Sequence, residues 1–189
     1  MFILIPETYN SDSKNRKGIY KMKRQREQNI TKVLLAVYCF VLVWIILFKM
    51  NMDFSVIGYY RNINLIPFKG SVITNGRIST AEIMLNVLIF VPFGVYISML
   101  KEDWNFICKA APVFCTSLSF EVLQYVLGIG ATDITDLLGN TLGGIIGILL
   151  FGLLSKLLKE NTIKFINITA AIGTVLIMGL LILLIVANR

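Results

Sequence analysis

The stretch 133–154, DITDLLGNTLGGIIGILLFGLL, decides how the rest of the chain is read. Its only charges are Asp133 and Asp136, and beyond Asn140 everything except Thr141 is apolar or glycine. About 20 such residues, rising 1.5 Å each, cross a hydrocarbon core of about 30 Å. Gly139, Gly143 and Gly147 recur every fourth residue with Gly144 beside them, the spacing that lets helix backbones approach closely in a bilayer. Asp133, Asp136 and Asn140 fall at i, i+3 and i+7, one stripe of a helix. The stretch predicts a spanning helix over 134–154 whose glycine face meets a partner helix and whose polar residues cluster at its start.

Working outward, comparable apolar runs predict spans at 31–50, 82–100, 106–128 and 165–187, with Pro92 and Gly94 in the second at positions that membrane helices tolerate. The fold expected is an all-α membrane protein of about five transmembrane helices packed as a small bundle. Composition agrees: 56% of the residues are apolar and 15% charged, against about 25% charged in soluble domains. Residues 1–30 form a basic segment. Residues 31–158 form the main membrane domain, and 159–189 add a C-terminal span. The run 1–5 ends at Pro6, too short for a secretory signal. Met22 followed by Lys23-Arg24-Gln25-Arg26 reads as the start of a membrane protein, so translation from Met22 is expected.

Of the 18 Lys and Arg residues, only Lys49, Arg61, Lys69, Arg77 and Arg189 flank the spans on one side, and the rest fall on the other. Cytoplasmic flanks carry the excess, which places the N-terminus inside and the C-terminus outside. That distribution explains the net charge of +7 without nucleic acid. The chain has no His, which removes Ser-His and Cys-His catalysis and His-based metal sites. Cys39, Cys108 and Cys115 lie inside spans without CxxC spacing and read as small core residues.

Polar residues at membrane depth are costly, about 2.5–3.5 kcal/mol for a charge at the centre, so each needs an explanation. In this topology they share one side. Glu82 and Asn86 begin the second span, Glu121 and Gln124 end the third, and Asp133, Asp136 and Asn140 begin the fourth. All fall toward the extracytoplasmic leaflet. The long loop before the second span adds Arg61, Asn62, Asn64 and Arg77, with Tyr59 and Tyr60 suited to the headgroup level and Leu65-Ile66-Pro67-Phe68 suited to dip into the interface. Pro92 frees the Leu88 carbonyl one turn below Asn86. The expected outcome is an acidic, amide-rich pocket with a guanidinium group for neutralisation or phosphate binding. Structural readings stand beside this one: Asp133 as a helix N-cap, Glu82 and Arg77 as solvated charges, and Glu121, Gln124, Asp136 and Asn140 as a network that stitches helices together.

These residues resemble the VanZ-like family of small bacterial membrane proteins, named for a member associated with resistance to the lipoglycopeptide teicoplanin. The likeness rests on Arg61-Asn62-Ile63-Asn64-Leu65-Ile66-Pro67-Phe68, Asn86 with Phe90-Val91-Pro92-Phe93-Gly94, Glu121-x-x-Gln124, and Asp133-Ile-Thr-Asp136-x-x-x-Asn140-Thr-x-Gly143, across about 33–155. Some members carry an Arg just before the Asp pair, where this chain has Gly130-Ala131-Thr132; any role of that Arg passes to Arg61 or Arg77, or is absent. The resemblance implies an envelope protein of the bacterial plasma membrane without a known reaction.

The expected binding residues are Arg61, Asn64, Asn86, Glu121, Gln124, Asp133, Asp136 and Asn140, and the expected partners are membrane lipids, a lipid-linked wall precursor or a lipoglycopeptide. This reading requires neither a catalytic step nor a cofactor. Two alternatives remain open. One is a lipid-processing transferase or hydrolase with Mg²⁺ or Mn²⁺ on Asp133, Asp136 and Glu121, although the Asp pair lacks the further Gly-x-x-Ala-Arg and downstream acids of phosphatidyl-alcohol transferases. The other is a small transporter, although no inverted repeat is visible.

Overall fold

A computed structural model describes residues 7–48, 60–67, 73–74, 77–78 and 80–187. Helix α1 runs Glu7–Phe48, well before the expected start at 31. Lys, Arg, Gln and Glu are strong helix formers, and between Gly18 and the apolar run nothing breaks a helix, so the basic segment joins the apolar one without a turn. Helix α2 (Thr80–Leu100) and helix α3 (Phe106–Leu127) are joined by a short turn. Helix α3 is N-capped by Asn105, whose side chain accepts from the Cys108 N–H. Its end needs a left-handed residue. Gly128 takes φ 63° and donates its N–H back to the Gln124 and Tyr125 carbonyls.

Helix α4 (Ile134–Leu158) and helix α5 (Thr162–Ala187) are separated only by a 3₁₀ turn at Lys159–Asn161, where the sequence reading places a loop. Residues 155–164 contain neither Gly nor Pro, which leaves no strong breaker there. The break is made instead by Lys159 at φ 49°, the single non-glycine residue at positive φ among those described, with the Thr162 hydroxyl donating to its carbonyl at 2.7 Å. Four helical stretches among the described residues are long and apolar enough to cross a membrane: Gly18–Leu47, Ile83–Leu100, Phe106–Leu127 and Ile134–Gly179. The last takes in both α4 and α5 and at 46 residues is more than twice the length one crossing needs.

The long connection between α1 and α2 holds short strands that the sequence reading missed: β1 (Tyr60–Asn64), β2 (Ile73–Thr74) and β3 (Arg77–Ile78). A fourth, β4 (Ile129–Asp133), links α3 to α4. Strands β2 and β3 pair antiparallel, whereas β1 pairs parallel with β4, Arg61 opposite Gly130 and Asn64 opposite Asp133.

The chain divides into two compact units, one of Leu35–Thr162 and one of the residues before and after it. In the larger unit the core is Leu42, Leu47, Phe90, Phe93, Val113, Phe120 and Ile148. Phe90 meets Phe93 and Phe120 edge to face, with centroids 6.0 and 6.4 Å apart. Around it the usual distribution is inverted. Ser98, Ser117, Glu121, Gln124 and Asn140 are buried while Ile107, Phe114, Leu142, Leu149 and Leu153 are exposed, which is stable where the surroundings are as apolar as leucine. Cys108 and Cys115 join this exposed side rather than the core, because a thiol gains nothing from burial in such a setting; Cys39 is half-buried.

Helix α4 sits against α2 through its glycines. A Cβ at Gly143 would overlap the Val87 carbonyl oxygen, one at Gly147 the Val91 carbonyl, and one at Gly94 the Gly144 carbonyl. Gly144 faces Val113 of α3 instead. Pro92 leaves its turn of α2 short of a donor, and the Tyr38 hydroxyl on α1 donates to the Ile89 carbonyl there, the neighbour of the Leu88 carbonyl that the sequence singles out.

Candidate functional site

The expected polar residues gather at one end of the larger unit, where α3 finishes and α2 and α4 begin. The parallel pairing of β1 with β4 is what brings the loop in. With Asn64 opposite Asp133, the Asn64 amide donates to Asp133 Oδ2 at 3.1 Å. Asp133 Oδ1 accepts the Thr135 N–H at 2.8 Å, which makes Asp133 the N-cap of α4, and its negative charge suits the positive end of the helix dipole. Capping and cross-strand bonding are thus carried by different oxygens of one carboxylate. The Asp133 backbone N–H in turn donates to Glu121 Oε2 at 2.9 Å, and the Thr132 hydroxyl to the Glu121 carbonyl at 3.1 Å. Asp133 and Glu121 are only 1% and 2% exposed, so these bonds form where water does not compete.

Along α4 the stripe then fans out. The Asn86 amide on α2 donates to Asp136 Oδ1 at 2.6 Å, and the Asn140 amide donates to Ser117 Oγ on α3 at 3.1 Å. Positions that share one helical stripe therefore serve β1, α2 and α3 in succession, because α4 packs against both α2 and α3. Helix α3 divides its pair similarly. Glu121 turns to β4, whereas the Gln124 amide donates to the Ile46 carbonyl of α1 at 3.0 Å. Asn64, Asp133 and Glu121 are linked in that order, Asn86 bonds to Asp136, Gln124 to the Ile46 carbonyl and Asn140 to Ser117. Gln124 Oε1 and Asn140 Oδ1 are buried acceptors that find no hydrogen-bond donor among the described residues.

Arg61 and Arg77 are placed by backbone alone, Arg61 in β1 opposite Gly130 and Arg77 in β3. Their side chains, that of Glu82, and Asn62, Tyr59, Tyr60 and Phe68 lie outside the side chains described. Leu65 and Ile66 are exposed. Glu121, Asp133 and Asp136 have the oxygen chemistry for Mg²⁺ or Mn²⁺, but among the described residues no three His, Cys, Asp or Glu are grouped to hold a metal ion.

Ser117, Thr132 and Thr135 belong to the network and were not picked out from the sequence. Ser117 had a legible signal, since Ser117, Glu121 and Gln124 fall at i, i+4 and i+7 on one face of α3. The β1–β4 pairing had none.

Large apolar side chains outward, small and polar ones inward, and helices of bilayer length define a small α-helical membrane protein. Its motifs specify which one. A family model for VanZ/LLP1 matches residues 35–155, and the chain is 37% identical over 155 residues to Protein VanZ of Enterococcus faecium, covering 81% of this chain and 91% of that one. The chain belongs to the VanZ/LLP1 family. No solved structure matches it.

Proposed function

We propose that the chain is a multi-pass protein of the bacterial plasma membrane that holds the polar headgroup of an amphiphile at the outer leaflet. In this reading the N-terminus is cytoplasmic and five crossings put the C-terminus outside, so the end carrying Asn64, Asn86, Glu121, Asp133 and Asp136 faces the cell exterior. The amphiphile is a lipid-linked wall precursor or a lipoglycopeptide of the teicoplanin type, and the physiological effect is glycopeptide resistance. Family membership supports the resistance reading.

One observation carries the binding reading: carboxylate and amide oxygens collect at a single end of the unit, with Gln124 Oε1 and Asn140 Oδ1 left as buried acceptors. Sugar and peptide headgroups are rich in O–H and N–H donors, which such oxygens accept. The surrounding bonds hold the acceptors in place and lower the cost of ordering them on binding.

The test is teicoplanin susceptibility in a Gram-positive host expressing Glu121→Gln or Asp136→Asn at unaltered abundance. Susceptibility returning to that of the empty host is expected. Normal abundance with resistance intact in both variants overturns the proposal.

A further inference from the structure

Helix α1 carries a charged surface that the polar end of the larger unit does not use. Between Gly18 and Val33 it holds five exposed cations, Lys21, Lys23, Arg24, Arg26 and Lys32, and one acid, Glu27. These residues share one unbroken helix with the apolar run that starts at Val33. A helix continuous with a span keeps its charges at the membrane surface, whereas a loose basic tail would spread them through solution. For a helix along the membrane normal, at about 1.5 Å per residue, Arg26 stands about 9 Å beyond Lys32 and Lys21 about 17 Å. The headgroup layer is about 5–8 Å deep, so Lys32 lies within it, Arg26 borders it, and Lys21 is about one Debye length outside.

The acid among these cations is held aside. Glu27 is half-buried, and its Oε2 accepts the Asn167 amide of α5 at 3.1 Å. The same amide donates to the Glu27 carbonyl, and the Thr31 hydroxyl donates to Asn167 Oδ1, so the carboxylate is turned toward α5. Lys23 and Arg24, four and three residues earlier, share its side of the helix. Lys21, Arg26 and Lys32 lie about 100–140° round the axis from it. Glu27 is the only acid between Asp12 and Asp53. Helix α5 adds the exposed Lys164, with Glu160 four residues earlier to offset it. The turn between α2 and α3 carries Lys101 and Lys109 with Glu102 and Asp103, and so adds no net charge.

We propose that the basic part of α1 is a docking surface for anionic phospholipid, with headgroup phosphates on Arg26 and Lys32 and the field of Lys21, Lys23 and Arg24 adding to their hold. Ile30 and Val33, exposed four and seven residues beyond Arg26, meet the start of the acyl chains. A zwitterionic headgroup brings its own ammonium group to these cations and gains less from them. A soluble polyanion such as RNA matches the charge but has no use for the apolar residues on the same face, which is why a lipid is the occupant favoured.

The probe is the full chain carrying Trp44→Phe, Trp104→Phe and Val33→Trp, so that its single indole lies on the Arg26 side of α1. It is placed in liposomes with phosphatidylglycerol or phosphatidylcholine brominated on the acyl chain. One basic residue near a membrane surface predicts about fivefold tighter binding of the anionic lipid, so a relative binding constant of about five or more is expected from the quenching. Gln is nearly as good a helix former as Lys or Arg, so replacing Lys21, Lys23, Arg24, Arg26 and Lys32 together by Gln keeps the helix and brings the ratio close to one. Glu27→Gln still offers an oxygen to the Asn167 amide but removes the carboxylate, and raises the ratio. Equal quenching by the two lipids in the probe chain overturns the proposal and leaves the cations to a soluble polyanion. A preference that survives the five replacements overturns it too, as does a ratio that Glu27→Gln lowers.

Discussion

Helices α4 and α5 are neighbours in sequence, of similar length and similarly apolar, and both contain glycines, yet their glycines do different things. In α4, Gly143 and Gly147 bring backbone against the backbone of α2, and there is no room for a methyl group. In α5, Gly173 and Gly179 face open space. What anchors α5 within its unit is polar: Asn167, buried, donates to the Glu27 carbonyl at 3.0 Å and to Glu27 Oε2 at 3.1 Å, while the Thr31 hydroxyl donates to Asn167 Oδ1 at 2.9 Å. Glycine in an apolar helix is thus no packing signal by itself. In a bilayer, where apolar association gains little, helices join by close backbone approach or by hydrogen bonds; α4 uses both, whereas the contacts described for α5 are hydrogen bonds.

The sharpest way to break the comparison is to put the same side chain at both kinds of glycine. Gly143→Leu must displace the Val87 backbone and is expected to cost about 3 kcal/mol or more, enough to remove the folded protein from detergent extracts. Gly173→Leu should leave thermal unfolding in detergent almost unchanged. Equal behaviour of the two would mean that the α2–α4 interface is not what holds the larger unit.

A smaller effect is expected at the polar end. Asp133→Ala removes the cap of α4 and the partner of Asn64 together, and caps alone are worth about 1 kcal/mol, so a loss of about 1–3 kcal/mol should appear in denaturant titration. Asp133→Asn keeps a capping oxygen and should recover most of that loss.

The smallest is at α5. Hydrogen bonds between membrane helices average about 0.6 kcal/mol, so Asn167→Leu should lower stability by about 1 kcal/mol and double-mutant cycles with Thr31→Val should show coupling of a similar size. Additive behaviour would show that Thr31 and Asn167 do not act on each other.

Much of this was legible beforehand. The apolar runs located α2, α3, α4 and α5 to within a few residues, since length and hydropathy are local properties. The four-residue glycine repeat announced the packed face of α4. Membership of the polar end was legible too, because Glu121, Asp133 and Asp136 are conspicuous in apolar surroundings. Their pairing was not. Asp133, Asp136 and Asn140 share a stripe but bond to β1, α2 and α3, and no spacing rule separates those outcomes. The helical state of the basic segment was missed because its charge was read for topology and its strong helix propensity was not.

Sequence alone determined that this chain is built from apolar helices of bilayer length, with acids and amides confined to their ends, because hydrocarbon excludes charge whatever the fold. Tertiary structure alone decided that Asn64 meets Asp133 and that Asp133 meets Glu121, and that Gly143 touches backbone while Gly152 and Gly173 touch nothing. Those outcomes depend on the register of β1 against β4 and on how closely α2, α3 and α4 approach along their lengths. Such relations join residues tens of positions apart and leave no periodic trace in the chain.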